Sequence, residues 1–297
     1  MSNPVLYDNP GPRTRRRVMI GSVVAGVLLL GVLALVLVRL GEEGQFSGER
    51  WGPLVNLYYP KFAALWTGLG VALWNNIVAA VLAMTLSLTI GTALALTRIT
   101  SARWYRWAVV SVIELFRGLP VVIAIFFAYR VLPEVGIELP KLWYLVIGLT
   151  AYNCVIIAEI VRSGVASLPR GQAEAGAAIG LTRGQSLRLV QLPQAFRVML
   201  PALISQLVVI FKDTSLGFII LYPESVRFVR LAIEELDNPL QLFFALAVIF
   251  IVINYLLSRL AVYVERRLSR AGTVGPRPGA GTLDTGQPLA GTSTTGG

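Results

Sequence analysis

Mostly apolar segments of membrane-spanning length recur along the chain and are separated by polar stretches. They cover residues 18–38, 73–97, 109–129, 142–161, 200–221 and 240–264. At 1.5 Å per residue, a helix of about 20 residues rises roughly 30 Å, which is the thickness of the hydrocarbon core of a bilayer. The pattern therefore predicts an all-α polytopic membrane protein with six transmembrane helices.

The charges between these segments predict their orientation. The arginine-rich connections hold Arg13, Arg15, Arg16 and Arg17, then Arg98, Arg103 and Arg106, then Arg162, Arg170, Arg183, Arg188 and Arg197, and finally Arg259, Arg266, Arg267 and Arg270. The alternate connections are acidic or balanced. Because basic residues collect on the cytoplasmic side, both termini are expected there. Residues 1–17 are then a basic cytoplasmic tail, and residues 39–66 an extracytoplasmic connection.

The first apolar segment, residues 18–38, follows a basic stretch and must be compared with a cleaved signal peptide. Its apolar core is longer than such peptides use, and no small-x-small cleavage site follows it. We therefore expect an uncleaved, extra first transmembrane helix. At the other end, residues 271–297 are rich in Gly, Pro and Thr, which predicts a disordered tail.

The connection at residues 168–200 is far longer than two membrane helices need. Residues 171–179 can form an alanine-rich helix of about two turns, and Gly180 is well placed as its left-handed C-cap. Thr182 and Gln185 match a capping box, so a second helix should begin at once. We expect Pro193 to kink or end that helix and Pro201 to open the fifth segment. Small exposed side chains favour docking of another protein; an amphipathic interfacial helix is the alternative.

Composition narrows the possible functions. Hydrophobic residues make up 55% of the chain and charged residues 14%, and the chain has one cysteine and no histidine. A membrane-embedded enzyme would therefore lack the usual general base and the commonest metal ligand. A channel or secondary transporter is a further alternative, but the long cytoplasmic connection has no use in that scheme. The sequence contains no phosphate-binding G-x-x-x-x-G-K-[ST] motif.

Several short motifs resemble those of one transporter family. The sequence Glu174-Ala175-Gly176-x-x-x-Gly180, with Leu192-Pro193 downstream, is similar to the EAA loop of ABC-importer permeases. Further elements follow the order of the polar amino acid uptake branch: Arg117-Gly118-Leu119-Pro120, Ala151-Tyr152, Glu159-Ile160-x-Arg162, Leu192-Pro193-Gln194-Ala195 and Lys212-Asp213-Thr214-Ser215-Leu216. Two positions depart from the family pattern, Gly176 for alanine and Leu119 for threonine.

This resemblance implies a type I ABC importer permease fold over residues 67–264, in a bacterial plasma membrane. It implies a partner ATPase dimer that binds ATP, a second permease that is the same or paralogous, and an extracytoplasmic solute-binding protein. No cofactor is implied in this chain. The implied ATPase-coupling residues are Gln172, Glu174, Ala175, Gly180, Leu192 and Pro193. The substrate would be a polar amino acid, with glutamate first, because Val5-Leu6-Tyr7-Asp8 and the extra first helix resemble glutamate-uptake permeases.

Polar residues inside the apolar segments form a second set of candidates. Charges at membrane depth are costly and usually face a cavity or a partner. The candidates for a substrate pathway are Arg117, Asn153, Lys212, Asp213, Thr214 and Ser215. Interhelical hydrogen bonding is the structural alternative, and Arg117 could instead pair with Glu114. Glu159 and Arg162 have the same spacing, which favours a local ion pair.

Overall fold

The computed structural model describes residues 11–100, 103–169 and 171–271, and these ranges contain helices and no strand. The α-helices are α1 (Pro12–Glu42), α2 (Gly48–Val55), α3 (Phe62–Thr100), α4 (Arg103–Gly118), α5 (Val121–Glu134), α6 (Lys141–Ala166), α7 (Gly171–Ala178), α8 (Arg183–Ser186), α9 (Leu192–Asp213), α10 (Ser225–Leu236) and α11 (Pro239–Ala271). A π-helical turn, Leu187–Gln191, joins α8 to α9, and a 3₁₀ helix, Thr214–Ile220, follows α9.

Five helical stretches in the described ranges are long and apolar enough to cross a membrane. They are Pro12–Glu42, Phe62–Thr100, Lys141–Ala166, Arg183–Ile220 and Pro239–Arg267. The predicted third segment, residues 109–129, is not one continuous helix, because α4 ends at Gly118 and α5 begins at Val121. Pro120 between them disfavours the helical conformation of Leu119. The count of six spans and the cytoplasmic termini therefore stay predictions.

Helix α6 lies at the centre of the bundle and packs closely against α3, α5 and α9. Its buried side chains include Leu145, Leu149 and Ile157, all fully shielded from solvent. Two glycines permit the close approach. A Cβ atom at Gly91 would lie 2.6 Å from the carbonyl oxygen of Cys154, and one at Gly148 would lie 2.7 Å from the backbone nitrogen of Ile125. Small residues at helix contacts are how membrane helices gain van der Waals packing.

Buried asparagine and glutamine side chains connect the helices at two places. Asn76 on α3 donates from Nδ2 to Thr214 Oγ1 at 2.8 Å, and its Oδ1 accepts from the backbone nitrogen of Ser225 at 3.0 Å. Between α6 and α9, Gln206 Nε2 donates to Asn153 Oδ1 at 2.7 Å. These bonds satisfy amide groups that would be costly to leave unpaired in an apolar interior.

Helix α10 begins at a buried acidic cap. The Glu224 carboxylate accepts hydrogen bonds from the backbone nitrogens of Val226 at 2.8 Å and Arg227 at 2.7 Å. Burial raises the pKa of this carboxyl above its ordinary value, while those two hydrogen bonds act in the opposite direction. The cap lies beside Ser225, which binds Asn76, so the start of α10 is fixed against α3.

Helix α1 has no buried residue and is longer than the predicted span at residues 18–38. Its carboxyl end is held to the bundle through Gln45, whose carbonyl oxygen accepts from Trp51 Nε1 and Gln241 Nε2. Helix α2 lies within the predicted connection at residues 39–66. Residues 1–10 of the predicted basic tail and all but the first residue of the predicted tail at 271–297 lie outside the described residues.

The contact at Gly148 generates the first prediction. A Gly148→Ala substitution should lower the free energy of unfolding by about 1–3 kcal/mol, because the methyl group would press on the backbone of α5. Thermal unfolding of the purified protein in detergent measures the change. Gly70→Ala is the matched control on α3, since nothing lies within 4 Å of its added Cβ. Equal melting temperatures for the two variants would contradict the packing role of Gly148.

Candidate functional site

The first helix of the long connection, α7, ends in a complete glycine cap. Gly180 has a φ of +80°, the left-handed conformation that side chains disfavour. The backbone nitrogen of Leu181 donates to the Gly176 carbonyl, and that of Gly180 donates to the Ala177 carbonyl, each at 3.0 Å. This pair of bonds is a Schellman motif, which satisfies the last carbonyl groups of the helix. The predicted left-handed cap at Gly180 is confirmed.

The second helix starts with the predicted capping box. Gln185 nitrogen donates to Thr182 Oγ1 at 3.4 Å, and Thr182 nitrogen donates to Gln185 Oε1 at 2.9 Å. Pro193 does not end the helix and Pro201 does not open the fifth segment, so those two expectations were wrong, while a kink at Pro193 stays a prediction. The chain stays helical from Arg183 to Ile220, with Pro193 in the first turn of α9 and Pro201 inside it. The preceding π-helical turn changes the hydrogen-bond register just where Pro193 lacks a donor.

A contact between the two loop helices, α7 and α8, explains why position 176 has glycine where the family pattern has alanine. It is the buried residue of α7, and an added Cβ would lie 2.5 Å from Ser186 Oγ and 3.0 Å from Ser186 Cβ. An alanine at position 176 would therefore press on α8. The departure from the family pattern allows the two loop helices to lie closer together than an alanine would permit.

Five residues of α7 and the adjoining Ile179 form an exposed surface, which we call the α7 face. It consists of Ala173, Glu174, Ala175, Ala177, Ala178 and the adjoining Ile179. Ile179 is 76% exposed and adds a large apolar side chain to this surface of alanines. On the other side, Gln172 Oε1 accepts from Gln194 Nε2 at 3.0 Å, so α7 is tied to α9. Leu192 is partly buried against the bundle, and Pro193 is exposed.

The predicted pathway residues fall into two groups. Asn153 and Thr214 are fully buried and occupied by interhelical hydrogen bonds, and Ser215 Oγ is buried with no partner among the described residues. Lys212 is exposed at the end of α9, and Asp213 beside it is half-buried. Gln206 was not among the predicted residues, because its bond to Asn153 depends on how α6 and α9 are placed in register.

Arg117 lies with other charged residues at a cavity among α3, α4, α6 and α9. The cavity has a volume of about 500 Å³, and its lining includes Arg98, Glu114, Arg117 and Glu159. The structure gives no ion pair between Glu114 and Arg117 among the described side chains. We call this space the inner cavity. A second space of about 1040 Å³ lies between the helix ends and the loop helices, and we call it the loop cavity.

One carboxylate connects two helices at the border of these cavities. Glu159 pairs with Arg162 one turn away on α6, as the spacing predicted. Arg162 Nε lies 3.0 Å from both carboxylate oxygens, and Nη2 makes a further contact with Oε1. Arg98 on α3 adds a bond from Nη1 to Glu159 Oε2 at 2.9 Å. The sequence spacing could not reveal this contact, which joins residues 61 positions apart.

Comparison with known proteins gives one family. Residues 87–270 match the family described as binding-protein-dependent transport system inner membrane component. The chain is 42% identical over 237 residues to the glutamate transport system permease protein GluD of Corynebacterium glutamicum, covering 78% of this chain and 84% of that protein. It is 32% identical over 208 residues to the probable glutamine ABC transporter permease protein GlnP of Bacillus subtilis, covering 69% of this chain and 94% of that protein.

Solved structures agree with the fold. A crystal structure of an amino acid ABC transporter with histidines has a chain that superimposes with a TM-score of 0.64. The two are 24% identical, and the match covers 72% of this chain and all of the other. An inward-facing structure of the MetNI methionine ABC transporter gives a TM-score of 0.58 at 20% identity, covering 71% of this chain and 99% of the other.

The contact at Gly176 generates the second prediction. Gly176→Ala should lower the thermal stability of the loop, because its methyl group would meet Ser186. Adding Ser186→Gly should remove the clash, so the double variant should be more stable than the sum of the two single changes predicts. Hydrogen exchange of residues 171–186 in the purified protein measures the effect. The control is Gly184→Ala, whose Cβ would meet nothing within 4 Å. Additive effects of the two changes at 176 and 186 would argue against a direct contact.

Proposed function

Because this chain belongs to the family of binding-protein-dependent transport system inner membrane components, we propose that it is the permease of an ATP-driven amino acid importer with glutamate as its main substrate. It is a multi-pass membrane protein of the inner membrane. The substrate proposal rests on the GluD relative, which shares 42% of its aligned residues with this chain. ATP would be bound and hydrolysed by a partner ATPase, and an extracytoplasmic solute-binding protein would deliver the amino acid.

The α7 face is the single feature that supports coupling to a partner ATPase best. Alanine side chains allow close approach of a partner's backbone, Ile179 offers an apolar anchor, and Glu174 offers a charge for a basic partner. Gln172 and Gly180 fix the position and the end of this helix. The permease would dock in a cleft of the ATPase through Glu174 and Ala175.

Movement of the ATPase would reach the membrane through a continuous helix. The stretch from Arg183 to Ile220 begins in the loop and ends beside Asn76 on the far side of the bundle. The Gln172–Gln194 bond and the Gly176–Ser186 contact link α7 to this stretch at two points. Leu192 and Pro193 lie at the start of α9, where loop and membrane segment join. A displacement of α7 would therefore be transmitted to α9.

We place the substrate contacts at the exposed polar end of α9 and at Arg117. Lys212 can meet a carboxylate and Asp213 an ammonium group, so the pair suits an amino acid. Asn153 and Thr214 would act by holding α9 against α6 and α3, since their polar atoms already have partners. Ser215 is a further candidate on the 3₁₀ helix, because its hydroxyl has no partner among the described residues.

The coupling proposal predicts the behaviour of variants at Gly180. Gly180→Asp should abolish ATP-dependent uptake while membrane insertion stays normal. The side chain would be held at positive φ, and its charge would be repelled by the carboxyl end of α7. Gly180→Asn has the same size without the charge and should retain partial uptake. Uptake into proteoliposomes that contain the ATPase and binding protein measures both; normal uptake by Gly180→Asp would contradict the docking role.

The substrate proposal predicts a charge effect at Lys212. Lys212→Gln should reduce glutamate uptake about tenfold, since a charge-assisted hydrogen bond is worth roughly 1.5 kcal/mol. Lys212→Arg should keep most activity. A panel of amino acids in the same proteoliposomes gives the measurement, with Lys61→Gln as the control because Lys61 pairs with Glu235 elsewhere on the surface. Unchanged glutamate uptake by Lys212→Gln would exclude Lys212 from the pathway.

A further inference from the structure

The inner cavity and the loop cavity share a border at Arg98. Arg98 is part of the lining of both spaces and lies near the carboxyl end of α3. The inner cavity is bounded by α3, α4, α6 and α9, while the loop cavity reaches Ala173 on α7 and Arg183 on α8. Placed one after the other, they would form a route from the helix ends toward α7 and α8.

Charge along this route is uneven. Among the described side chains, the inner cavity has two arginines and two glutamates in its lining, Arg98, Arg117, Glu114 and Glu159. The loop cavity has Arg98, Arg162 and Arg183 in its described lining and no carboxylate. Arg98 and Arg162 are both paired with Glu159, so the three arginines of the loop cavity outweigh the one carboxylate beside them and leave a net positive charge. An anion in the inner cavity would therefore be drawn toward the loop cavity.

Arg98 is bound to Glu159 through fewer contacts than Arg162 is. A substrate can therefore bind Arg98 more easily than Arg162. Glu159 is held by Arg162 through Nε and Nη2, a two-point contact within one helix. Arg98 reaches the same carboxylate through Nη1 alone. A guanidinium group has five donors in a planar fork that matches a carboxylate. A second carboxylate can thus bind Arg98 while Glu159 stays paired with Arg162.

The geometry points to a carboxylate-binding step at Arg98, by which acidic amino acids pass from the inner cavity to the loop cavity. This inference rests on the proposed function and adds a source of substrate selectivity within the permease. The substrate carboxylate takes the place of Glu159 on Arg98 and then meets Arg183 in the loop cavity. A neutral amide of the same size, as in glutamine, forms weaker hydrogen bonds with the same arginines.

Binding to the assembled transporter tests the inference directly. The permease and its ATPase are reconstituted in nanodiscs without the binding protein, and binding of radiolabelled L-glutamate and L-glutamine is measured at low and high salt. The wild type should bind glutamate about five times more tightly than glutamine, because a ratio of this size corresponds to one exposed charge interaction. The preference should decline with added salt. Equal binding of the two amino acids, or no binding of either, would overturn the inference.

Substitutions assign the preference to Arg98. Arg98→Gln should remove most of the preference for glutamate, and Arg98→Lys, which keeps the charge, should restore much of it. Arg188→Gln is the matched control, because Arg188 borders a separate cavity beside Thr97 and Thr100 at the same end of α3. The control should keep the wild-type ratio. A full preference in Arg98→Gln, or an equal loss in Arg188→Gln, would contradict a specific role for Arg98.

Uptake by the same preparations separates this inference from the proposed function. With ATP and the binding protein added, wild-type uptake of glutamate tests the import proposal independently of the binding ratio. If glutamate is imported but Arg98→Gln keeps its preference, the role of Arg98 is wrong and the import proposal stands. If no amino acid in a panel is imported, the import proposal itself fails.

Discussion

The bundle depends on the close approach of α3, α5 and α9 to α6. In a membrane, apolar burial between helices brings little gain over contact with lipid, so packing and interhelical hydrogen bonds must hold helices together. Gly91 and Gly148 bring backbones into contact on two sides of α6, and Gln206 with Asn153 secures a third. The placement of Arg98 and Glu159 follows from this arrangement. The ends of α3 and α6 bring Arg98 and Glu159 within hydrogen-bonding distance.

The long connection at residues 168–200 is built from short-range interactions that need no help from the membrane. Its caps at Gly180 and Thr182 are formed by residues close in sequence, and the contact of Gly176 with Ser186 spans only the turn between the two loop helices. Such a loop suits the coupling role proposed for it, because a flexible loop would absorb the displacement. The bond between Gln172 and Gln194 then ties it to the membrane helix.

The local features were predictable from sequence, and the long-range ones were not. The apolar segments, the glycine cap, the capping box and the Glu159–Arg162 pair all follow from spacing rules that act within one or two turns. The break at Pro120 and the helical continuity through Pro193 depend on local backbone geometry that proline alone does not decide. Arg98 as a partner of Glu159, and Gly176 as a neighbour of Ser186, require the positions of two helices relative to each other.

The π-helical turn at Leu187–Gln191 holds one residue more than an α-helical turn would need. Each residue in an α-helix rotates the following side chains by about 100° around the axis. The extra residue therefore rotates the face of α8 relative to the inward face of α9 by about 100° around the helix axis. The helix is not interrupted by this change. A deletion of one residue at this turn would be absorbed by a change from π-helical to α-helical bonding, so the loop and the bundle would each stay intact.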